Sequence, residues 1–347
     1  MLERNISDVV LLKIDESLPS FARRFLLEKG TGETEKEFPC ELSVRKGFSN
    51  RPFRGELLCF DLCRIAEDFF EWKASYKFSH WKYRLYRIGE FHYDLEILGD
   101  FGSQWVWPFR TVEFILRILQ WKQGYMQMHS AGFYNGRNAV LLMASSGTGK
   151  TLTTLHFLCN GGKVYDDDTV TFRHGNLLPT LSKISFWEYR YRNNKNVLPE
   201  NMPHFSPSLK RKQRFYRFCN LMSMNLLNLG EPIPAMEYWP DCRPPVAPVE
   251  KVIVLKKGPE FRKVKDYDKH LCVNRLFGDL TFQCLPLLRI AEIEKMTGYS
   301  ILDATRFFAD NRKFLTDRIT TLPFTVFDVP SIYSREIFNQ LHEEIMS

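Results

Sequence analysis

The segment from Val140 to Phe172 constrains the fold more than any other part of the chain. It reads VLLMASSGTGKTLTTLHFLCNGGKVYDDDTVTF and joins an apolar run, a glycine-rich loop and a helical run that two glycines end. Its centre, Ala144 to Thr151, matches the phosphate-binding pattern G-x-x-x-x-G-K-[ST] except at the first position. Because a strand and a helix flank the loop, the segment predicts a phosphate-binding loop in a mixed α/β protein. The alternative is a glycine-serine turn before a helix.

The residue types of the loop suit the phosphates of a nucleotide. Gly147 and Gly149 let backbone N–H groups converge on phosphate oxygens, and the following helix presents its positive end to the same anion. Lys150 supplies a mobile positive charge, and Thr151 offers a hydroxyl to Mg²⁺. Ala144 replaces the first glycine of the pattern, but a small residue with ordinary φ can serve at the end of a strand.

Three adjacent aspartates, Asp166, Asp167 and Asp168, follow a short apolar strand after the loop. Carboxylates this close repel one another unless cations share the site, although a solvated turn is the plainer interpretation. The helix that starts at Lys150 leads back to the sheet, so we expect the next strand beside the loop strand. One carboxylate would then hold a metal while another accepts a proton from an attacking hydroxyl.

Only a short stretch separates the loop lysine from the aspartates. In this spacing the segment resembles the HPr kinase/phosphorylase family, which belongs to the phosphate-loop kinases related to phosphoenolpyruvate carboxykinase. That family combines a Met/Leu-His strand, a G-x-S-G-x-G-K-S/T loop, a helix ending in glycine and a strand ending in Asp-Asp. The matching features of this chain are Met128-His129, Ala144 to Thr151, Gly161, and Asp167-Asp168. The resemblance is specific over residues 126–175 and diffuse over residues 176–300.

The resemblance implies a fold and a division of roles. The fold is α/β (α+β), a mixed-sheet P-loop kinase core of the HPr kinase and carboxykinase type. Asp167 would be the catalytic base and Asp168 a Mg²⁺ ligand; a one-residue slip would move both roles back by one, onto Asp166 and Asp167. The family places a histidine near the transferred phosphate, and the matching residue here is His129. The resemblance implies that His129 is an electrostatic or orienting group, although a lone histidine is usually structural.

The implied cofactors are ATP and Mg²⁺. Lys150 would stabilise the charge that is transferred, and Thr151 with Asp168 would hold the metal. The residues expected to bind the nucleotide are Ser145, Ser146, Gly147, Thr148, Gly149, Lys150, Thr151 and Leu152.

Two looser matches favour the bacterial peptide-kinase branch of the family, which is found beside enzymes of ribosomal peptide maturation. PVEKVIVLKKGPEF is similar to a late strand of that branch, with Lys256, Lys257 and Gly258 at its end, and LPTLSKISFWEYR would place Lys183 near the site. The first 120 residues do not resemble the N-terminal domain of HPr kinase, and the signature linked to phosphorylase activity is missing from the sequence. Both observations argue against HPr itself as the substrate.

Composition limits the compartment and the partners. The chain has 347 residues, 44% hydrophobic and 26% charged, enough for one large core or two ordinary ones. Its eight cysteines are scattered, so we expect reduced thiols in a cytoplasmic protein rather than a zinc site. No apolar run of about 18 residues predicts a membrane span, and the net charge of +7 suits an anionic ligand.

Basic and aromatic residues are interleaved in SLKRKQRFYRF and in WEYRYRNNK. A solvated helix face is the plainest interpretation of this pattern. Binding of an acidic peptide or of nucleotide phosphates is the second interpretation, and binding of nucleic acid is the third.

We predict a domain boundary near residue 120. Residues 1–120 would form a smaller α+β domain, for which substrate binding is one possible role, and residues 121–347 would form a kinase domain. ISDVVLLKI is predicted as one strand, and GETEKEFPCELSVRKGFSNRPFRGEL as charged turns. Antiparallel strands are predicted in KYRLYRIGEFHYDLEIL, and a helix that Gly124 can stop is predicted in RTVEFILRILQWKQG. Two strands joined by a turn at Asn135-Gly136 should follow, and VEKVIVLKKG should form another strand. The last prediction is a helix in PSIYSREIFNQLHEEIM, capped by Ser331 or Ser334.

Three functions stay open on the sequence alone. The first is a kinase that phosphorylates a serine of a protein or peptide, or else a small hydroxyl compound such as free serine or a sugar; self-association is left open. The second is a carboxykinase, which needs a second metal site for which only His129 is well placed. The third is a nucleotide-binding switch without catalysis, which Ala144 favours and the intact Lys150, Asp167 and Asp168 disfavour.

Overall fold

The computed structural model of the protein describes residues 1–27, 37–144, 147–184, 197, 199, 201–222, 232–265 and 267–347. The chain forms two compact units: Met1–Tyr125 with Thr281–Asn311, and Met126–Leu280 with Arg312–Ser347. The predicted division assigned all of residues 121–347 to the second domain. Residues 281–311 instead belong to the first unit, where the Tyr93 hydroxyl donates to the Ile301 carbonyl and Lys122 pairs with Asp303.

Helices occur in both units. In chain order they are α1 (Ser20–Leu27), α2 (Glu113–Lys122), α3 (Lys150–Cys159), α4 (Pro207–Met222), α5 (Ala235–Tyr238), α6 (Lys269–Gln283), α7 (Leu285–Thr297), α8 (Ala304–Phe314) and α9 (Arg335–Met346). Short 3₁₀ or π turns span Gly102–Trp105, Pro108–Val112 and Leu315–Ile319.

A mixed sheet, with eight strands among the described residues, forms the first unit. Its strands are β1 (Leu2–Ile6), β2 (Val10–Ile14), β3 (Cys40–Lys46), β4 (Leu58–Cys59), β5 (Cys63–Ala66), β6 (Phe69–Tyr76), β7 (Ser79–Arg87) and β8 (His92–Gly99). Their order is β1-β2-β3-β8-β7-β6-β5-β4, in which β3 runs parallel to β2 and β8 and the other neighbours are antiparallel.

Two sequence predictions for the first unit are confirmed and two are wrong. Strands β7 and β8 are antiparallel, and α2 ends just before Gly124, which has φ +80°. The predicted single strand ISDVVLLKI is wrong, because Ser7 and Asp8 form a turn that the Asn5 side chain holds by bonding Asp8. The segment predicted as charged turns contains β3, which is buried from Leu42 to Val44.

The second unit also contains a mixed sheet. Within the described residues its strands are β9 (Tyr125–Met128), β10 (Ala131–Tyr134), β11 (Ala139–Ala144), β12 (Lys163–Asp166), β13 (Val170–Arg173), β14 (Asn176–Leu178), β17 (Ala247–Lys257), β18 (Arg262–Val264) and β19 (Phe324–Val329), while β15 (Lys183–Ile184) and β16 (Ile233–Pro234) form a separate pair. The order is β12-β10-β11-β17-β14-β13-β9, and β19 pairs with β17 and β18. Strands β11, β17 and β19 are parallel.

Both faces of β11 are covered, which explains why every residue of AVLLMA is apolar and buried. Val140, Leu142 and Ala144 belong to one hydrophobic cluster, and the alternate residues of the strand belong to another. The predicted buried strand, its hairpin with β10, the strand β17 and the C-terminal helix α9 are therefore confirmed, as is the mixed α/β class.

Candidate functional site

Three chain segments meet at one edge of the second sheet. Strand β10 is antiparallel to β11, with Ala131 opposite Leu142, so the start of β10 lies beside the end of β11, where the loop begins. Strand β12 is antiparallel to β10, with Asp166 opposite Gly132, so the aspartates reach the same edge. We expected β12 directly beside β11, but the neighbours of β11 are β10 on one side and β17 on the other.

The loop has the backbone conformation that its glycines allow. Gly147 and Gly149 have φ of +78° and +93°, a region that suits glycine, and Gly149 is the N-cap of α3. Ala144 does not have positive φ, pairs with Leu255 and is buried, so the position of the missing glycine is ordinary strand. The ordinary φ expected for Ala144 is confirmed. Ser145 and Ser146 lie outside the described residues.

Lys150 lies between a histidine and a carboxylate. Its Nζ is 3.0 Å from His129 Nε2 and 3.2 Å from Asp168 Oδ1, and His129 Nδ1 is 3.4 Å from the same oxygen. The Lys150 side chain is 10% exposed and the Asp168 side chain 59% exposed. The positive charge is thus held at the start of α3, and the carboxylate beside it is open to a molecule from solvent.

The lysine fixes the protonation of His129. An ammonium group can only donate, so Nε2 accepts from Lys150 and the ring hydrogen sits on Nδ1, which faces Asp168. Burial and the Lys150 charge lower the pKa of His129, and Asp168 opposes them. His129 is therefore neutral and unsuited to act as an acid at neutral pH, and the orienting role that the resemblance implies stays a prediction.

Asp167 is the most enclosed carboxylate of the site, with 2% exposure. Thr151 Oγ1 donates to its Oδ2 at 3.3 Å, whereas its Oδ1 is buried without a hydrogen-bond partner. Burial raises the pKa of Asp167 to about 7, although Thr154 and Lys150 act to lower it. A buried oxygen that lacks a partner is unusual in a folded protein, which makes Asp167 a candidate functional group.

Asp166 has a different environment from its neighbours. Its Oδ1 accepts from the backbone N–H groups of Asp168 and Thr169, each at 3.0 Å, and its Oδ2 accepts from Thr180 Oγ1 at 3.0 Å. These bonds shape the turn after β12 and hold the next two side chains in place. The alternative in which a one-residue slip makes Asp166 the base is thus disfavoured, because both of its oxygens are engaged.

A second lysine lies beside the loop. The end of β17 brings Lys257 Nζ to 3.9 Å from the position that a Cβ on Gly147 would occupy. Its neighbour Lys256 points to the buried Asp328, 3.2 Å away. The loose match of Lys256-Lys257-Gly258 to the peptide-kinase branch was the sequence signal for this cation, and it did not distinguish the two lysines.

Tyr333 also contacts the loop, and no sequence pattern pointed to it. The residue precedes α9, and its hydroxyl donates to the Gly147 carbonyl at 2.5 Å. Its ring carbon Cε1 lies 3.3 Å from the position that a Cβ on Gly149 would occupy. The C-terminal segment therefore covers one side of the loop.

The other candidate residues have varied surroundings. Thr148 is buried in the loop, and the side chain of Leu152 is buried in a hydrophobic cluster. Lys183 lies on β15, paired with Pro234. The run SLKRKQRFYRF lies mainly on α4, where most basic side chains are exposed, and the whole of WEYRYRNNK lies outside the described residues.

The donor set at the loop suits magnesium. Among the residues that the structure describes, no group of three or more His, Cys, Asp or Glu side chains could hold a metal ion. Mg²⁺ needs less, since it keeps several waters and binds one or two carboxylates together with phosphates. Thr151 Oγ1 and the unpartnered Oδ1 of Asp167 are hard oxygen donors of this kind.

No family model matches the chain, and no curated protein matches it significantly. In the part of the chain that the structure describes, no helix combines the length and the apolar character needed to cross a membrane.

Proposed function

We propose that the protein is an ATP- and Mg²⁺-dependent kinase that transfers the γ-phosphate to a hydroxyl group, most readily a serine of a protein or peptide. The observation that carries the proposal is the convergence of Lys150, His129 and Asp168 within 3.4 Å at a glycine-rich loop that opens a helix. The proposed fold is a mixed-sheet P-loop kinase core of the HPr kinase and carboxykinase type. Its support is the parallel set β11, β17 and β19, with the loop after β11.

The phosphates would bind at the loop. Backbone N–H groups around Gly147 and Gly149 and the positive end of α3 attract them, and Lys150 and Lys257 add two cations. Mg²⁺, when bound by Thr151 and Asp167 together with the phosphates, would neutralise charge on the phosphate oxygens. The ion would also give the unpartnered Asp167 oxygen a partner, which accounts for an arrangement that otherwise only costs stability.

The geometry favours Asp168 as the base, whereas the sequence resemblance predicts Asp167. A base must reach the proton that it removes. Asp168 is exposed, whereas Asp167 is buried against the hydroxyl predicted to hold the metal. We therefore propose that Asp167 holds the metal and that Asp168 accepts the proton of the acceptor hydroxyl, with His129 orienting it.

In the transfer step the acceptor oxygen attacks the γ-phosphorus, its proton passes to Asp168, and the bond from the γ-phosphorus to the bridging oxygen breaks to release ADP. Before ATP binds, Lys150 is paired with Asp168. When the lysine turns to the phosphates, Asp168 loses its cation and becomes a better base. Nucleotide binding and activation of the base would thus be coupled.

The test is incubation with γ-labelled ATP, Mg²⁺ and candidate acceptors, read by mass spectrometry for an added phosphate. The acceptors are serine-containing peptides, free serine and sugars, which separate a peptide kinase from a small-molecule kinase. Lys150→Met should abolish transfer. A protein that binds ATP but phosphorylates none of these acceptors would be the nucleotide-binding switch, and a protein that does not bind ATP contradicts the proposal.

A further inference from the structure

Tyr333 joins the C-terminal segment to the phosphate-binding loop. It lies between β19 and α9, 186 positions after Gly147 in the chain, yet its hydroxyl donates to the Gly147 carbonyl at 2.5 Å. The ring also packs against Gly149, with Cε1 3.3 Å from the position of an added Cβ. One side chain thus contacts both glycines of the loop.

Buried aromatic rings hold Tyr333 in place. Its ring lies 5.7 Å from that of Phe338, which is 1% exposed. Phe338 stacks on His156 of α3 with ring centroids 4.7 Å apart and planes inclined by 21°. Because Phe338 belongs to the hydrophobic cluster that also contains Leu152 and Leu155, the Tyr333 ring has a rigid support.

The hydrogen bond to Gly147 fixes the direction of a backbone N–H group. No peptide bond among the described residues is cis, so the Gly147 carbonyl and the Thr148 N–H of the same peptide point in opposite directions. A flip of this peptide would rotate ψ of Gly147 and φ of Thr148, and Gly147 already has φ +78°. Gly147 has no side chain to oppose its part of the rotation, whereas the hydrogen bond from Tyr333 would have to break.

We propose that Tyr333 is a positioning residue that holds the 147–148 peptide with the Thr148 N–H directed into the phosphate site. This inference rests on the proposed binding of nucleotide phosphates at the loop. A flipped peptide would present a carbonyl oxygen to the phosphates, and the partial negative charge of that oxygen would oppose binding. The Tyr333 hydroxyl selects the orientation that binds anions.

The test is Tyr333→Phe, which removes the hydroxyl and keeps the ring. The probes are MgATP and inorganic tripolyphosphate, titrated by calorimetry. We expect both affinities to fall about three- to tenfold, the range for loss of one hydrogen bond, because the effect is on the phosphates. With saturating ATP, kcat should stay near the wild-type value while KM for ATP rises.

Tyr134→Phe is the matched control. Its hydroxyl also donates to a glycine carbonyl, that of Gly136 at 3.1 Å, in the β10–β11 hairpin. This variant should bind both probes as the wild type does. For both variants the unliganded melting temperature should stay close to that of the wild type, and only Tyr333→Phe should shift the ¹⁵N amide signals of Gly147 and Thr148.

Each other outcome contradicts a specific statement. If Tyr333→Phe binds both probes as tightly as the wild type, the positioning role is wrong and the proposed kinase function is unaffected. If only MgATP binds more weakly, the hydroxyl acts on the nucleoside and not on the phosphate-binding peptide, which also overturns the inference. If the wild type binds neither probe, the proposed function and the positioning role fall together.

Discussion

Glu71 in the first unit and Asp167 in the second are both buried carboxylates, but their partners differ. Arg64, Lys82 and Arg84 surround Glu71, with ion-pair distances of 2.5, 2.8 and 2.6 Å. Burial would raise the pKa of Glu71, but hydrogen bonds from the three cations outweigh it and hold the pKa at about 2. Glu71 is therefore a charged and fully paired part of the sheet.

Asp167 has no such partners. Thr151 gives it one hydrogen bond, its other oxygen has none, and burial raises its pKa to about 7. At Glu71 the same chain surrounds a buried carboxylate with three positively charged side chains. The contrast makes Asp167 a candidate functional carboxylate and Glu71 a structural one.

The largest expected effect separates the two aspartates of the site. Asp168→Asn should lower kcat at least about 100-fold, the contribution of a general base, and leave the affinity for ATP near that of the wild type. Asp167→Asn should instead raise the Mg²⁺ concentration needed for half-maximal activity. Steady-state kinetics at several Mg²⁺ concentrations measure both quantities.

Asp166→Asn is the matched control for this pair, because an asparagine can keep the bonds that shape the turn after β12, and it should retain activity. The sequence resemblance assigns these roles the other way round, with Asp167 as the base and Asp168 as the metal ligand. If Asp167→Asn loses turnover with an unchanged Mg²⁺ requirement, while Asp168→Asn has the altered requirement, then Asp167 is the base and the roles proposed from the geometry are reversed.

The next effect concerns the paired carboxylate. Glu71→Gln leaves three cations without a counter-charge and should lower the free energy of unfolding by about 3 kcal/mol at pH 7. The pKa of Glu71 is lowered in the folded protein, so its stabilisation is present above the ordinary glutamate pKa and is lost as the pH falls toward 2. Urea unfolding at pH 7 and pH 3 should show a smaller difference from the wild type at pH 3, and an equal difference would contradict the electrostatic explanation.

Local sequence patterns predicted those parts of the fold that depend on neighbouring residues. The apolar run of β11, the turn at Asn135-Gly136 and the loop glycines are encoded within a few positions. The strand β3 was missed because its buried residues lie within a charged segment, where tertiary pairing with β2 and β8 overrides composition. Residues 281–311 belong to the first unit through contacts between distant positions, such as Tyr93 with Ile301, which no local pattern encodes.

The candidate site was predictable in its residues but less so in its geometry. Lys150, Thr151 and the aspartates could be named because they follow one another within a short segment. The contact between Tyr333 and Gly147 joins distant positions, and no local pattern encodes it. Which aspartate faces Thr151 depends on the turn that Asp166 forms with the backbone of Asp168 and Thr169, and only the folded chain shows that turn.

The third effect is a gain of stability at the unpaired carboxylate. The pKa of Asp167 is raised from 3.8 to about 7, so its ionisation opposes folding as the pH rises through this window. Asp167→Asn should raise the free energy of unfolding by about 2 kcal/mol at pH 8 without Mg²⁺ or nucleotide, and the gain should disappear below pH 4. Thermal unfolding across this range measures it, and a loss of stability at pH 8 would mean that Asp167 is a satisfied group like Glu71.

The smallest expected effect distinguishes two adjacent lysines, one beside the phosphate loop and one paired with a buried carboxylate. Lys257 lies beside Gly147, whereas Lys256 pairs with Asp328, a buried carboxylate that Arg262 also contacts. Lys257→Met should weaken MgATP binding about threefold, and less at high salt, with little change in stability. Lys256→Met should leave MgATP binding unchanged and lower the free energy of unfolding by about 1 kcal/mol, because this lysine is partly exposed. If calorimetry and urea unfolding give the two variants the same profile, the phosphate loop has no dedicated second cation, and Lys257 is only a surface charge.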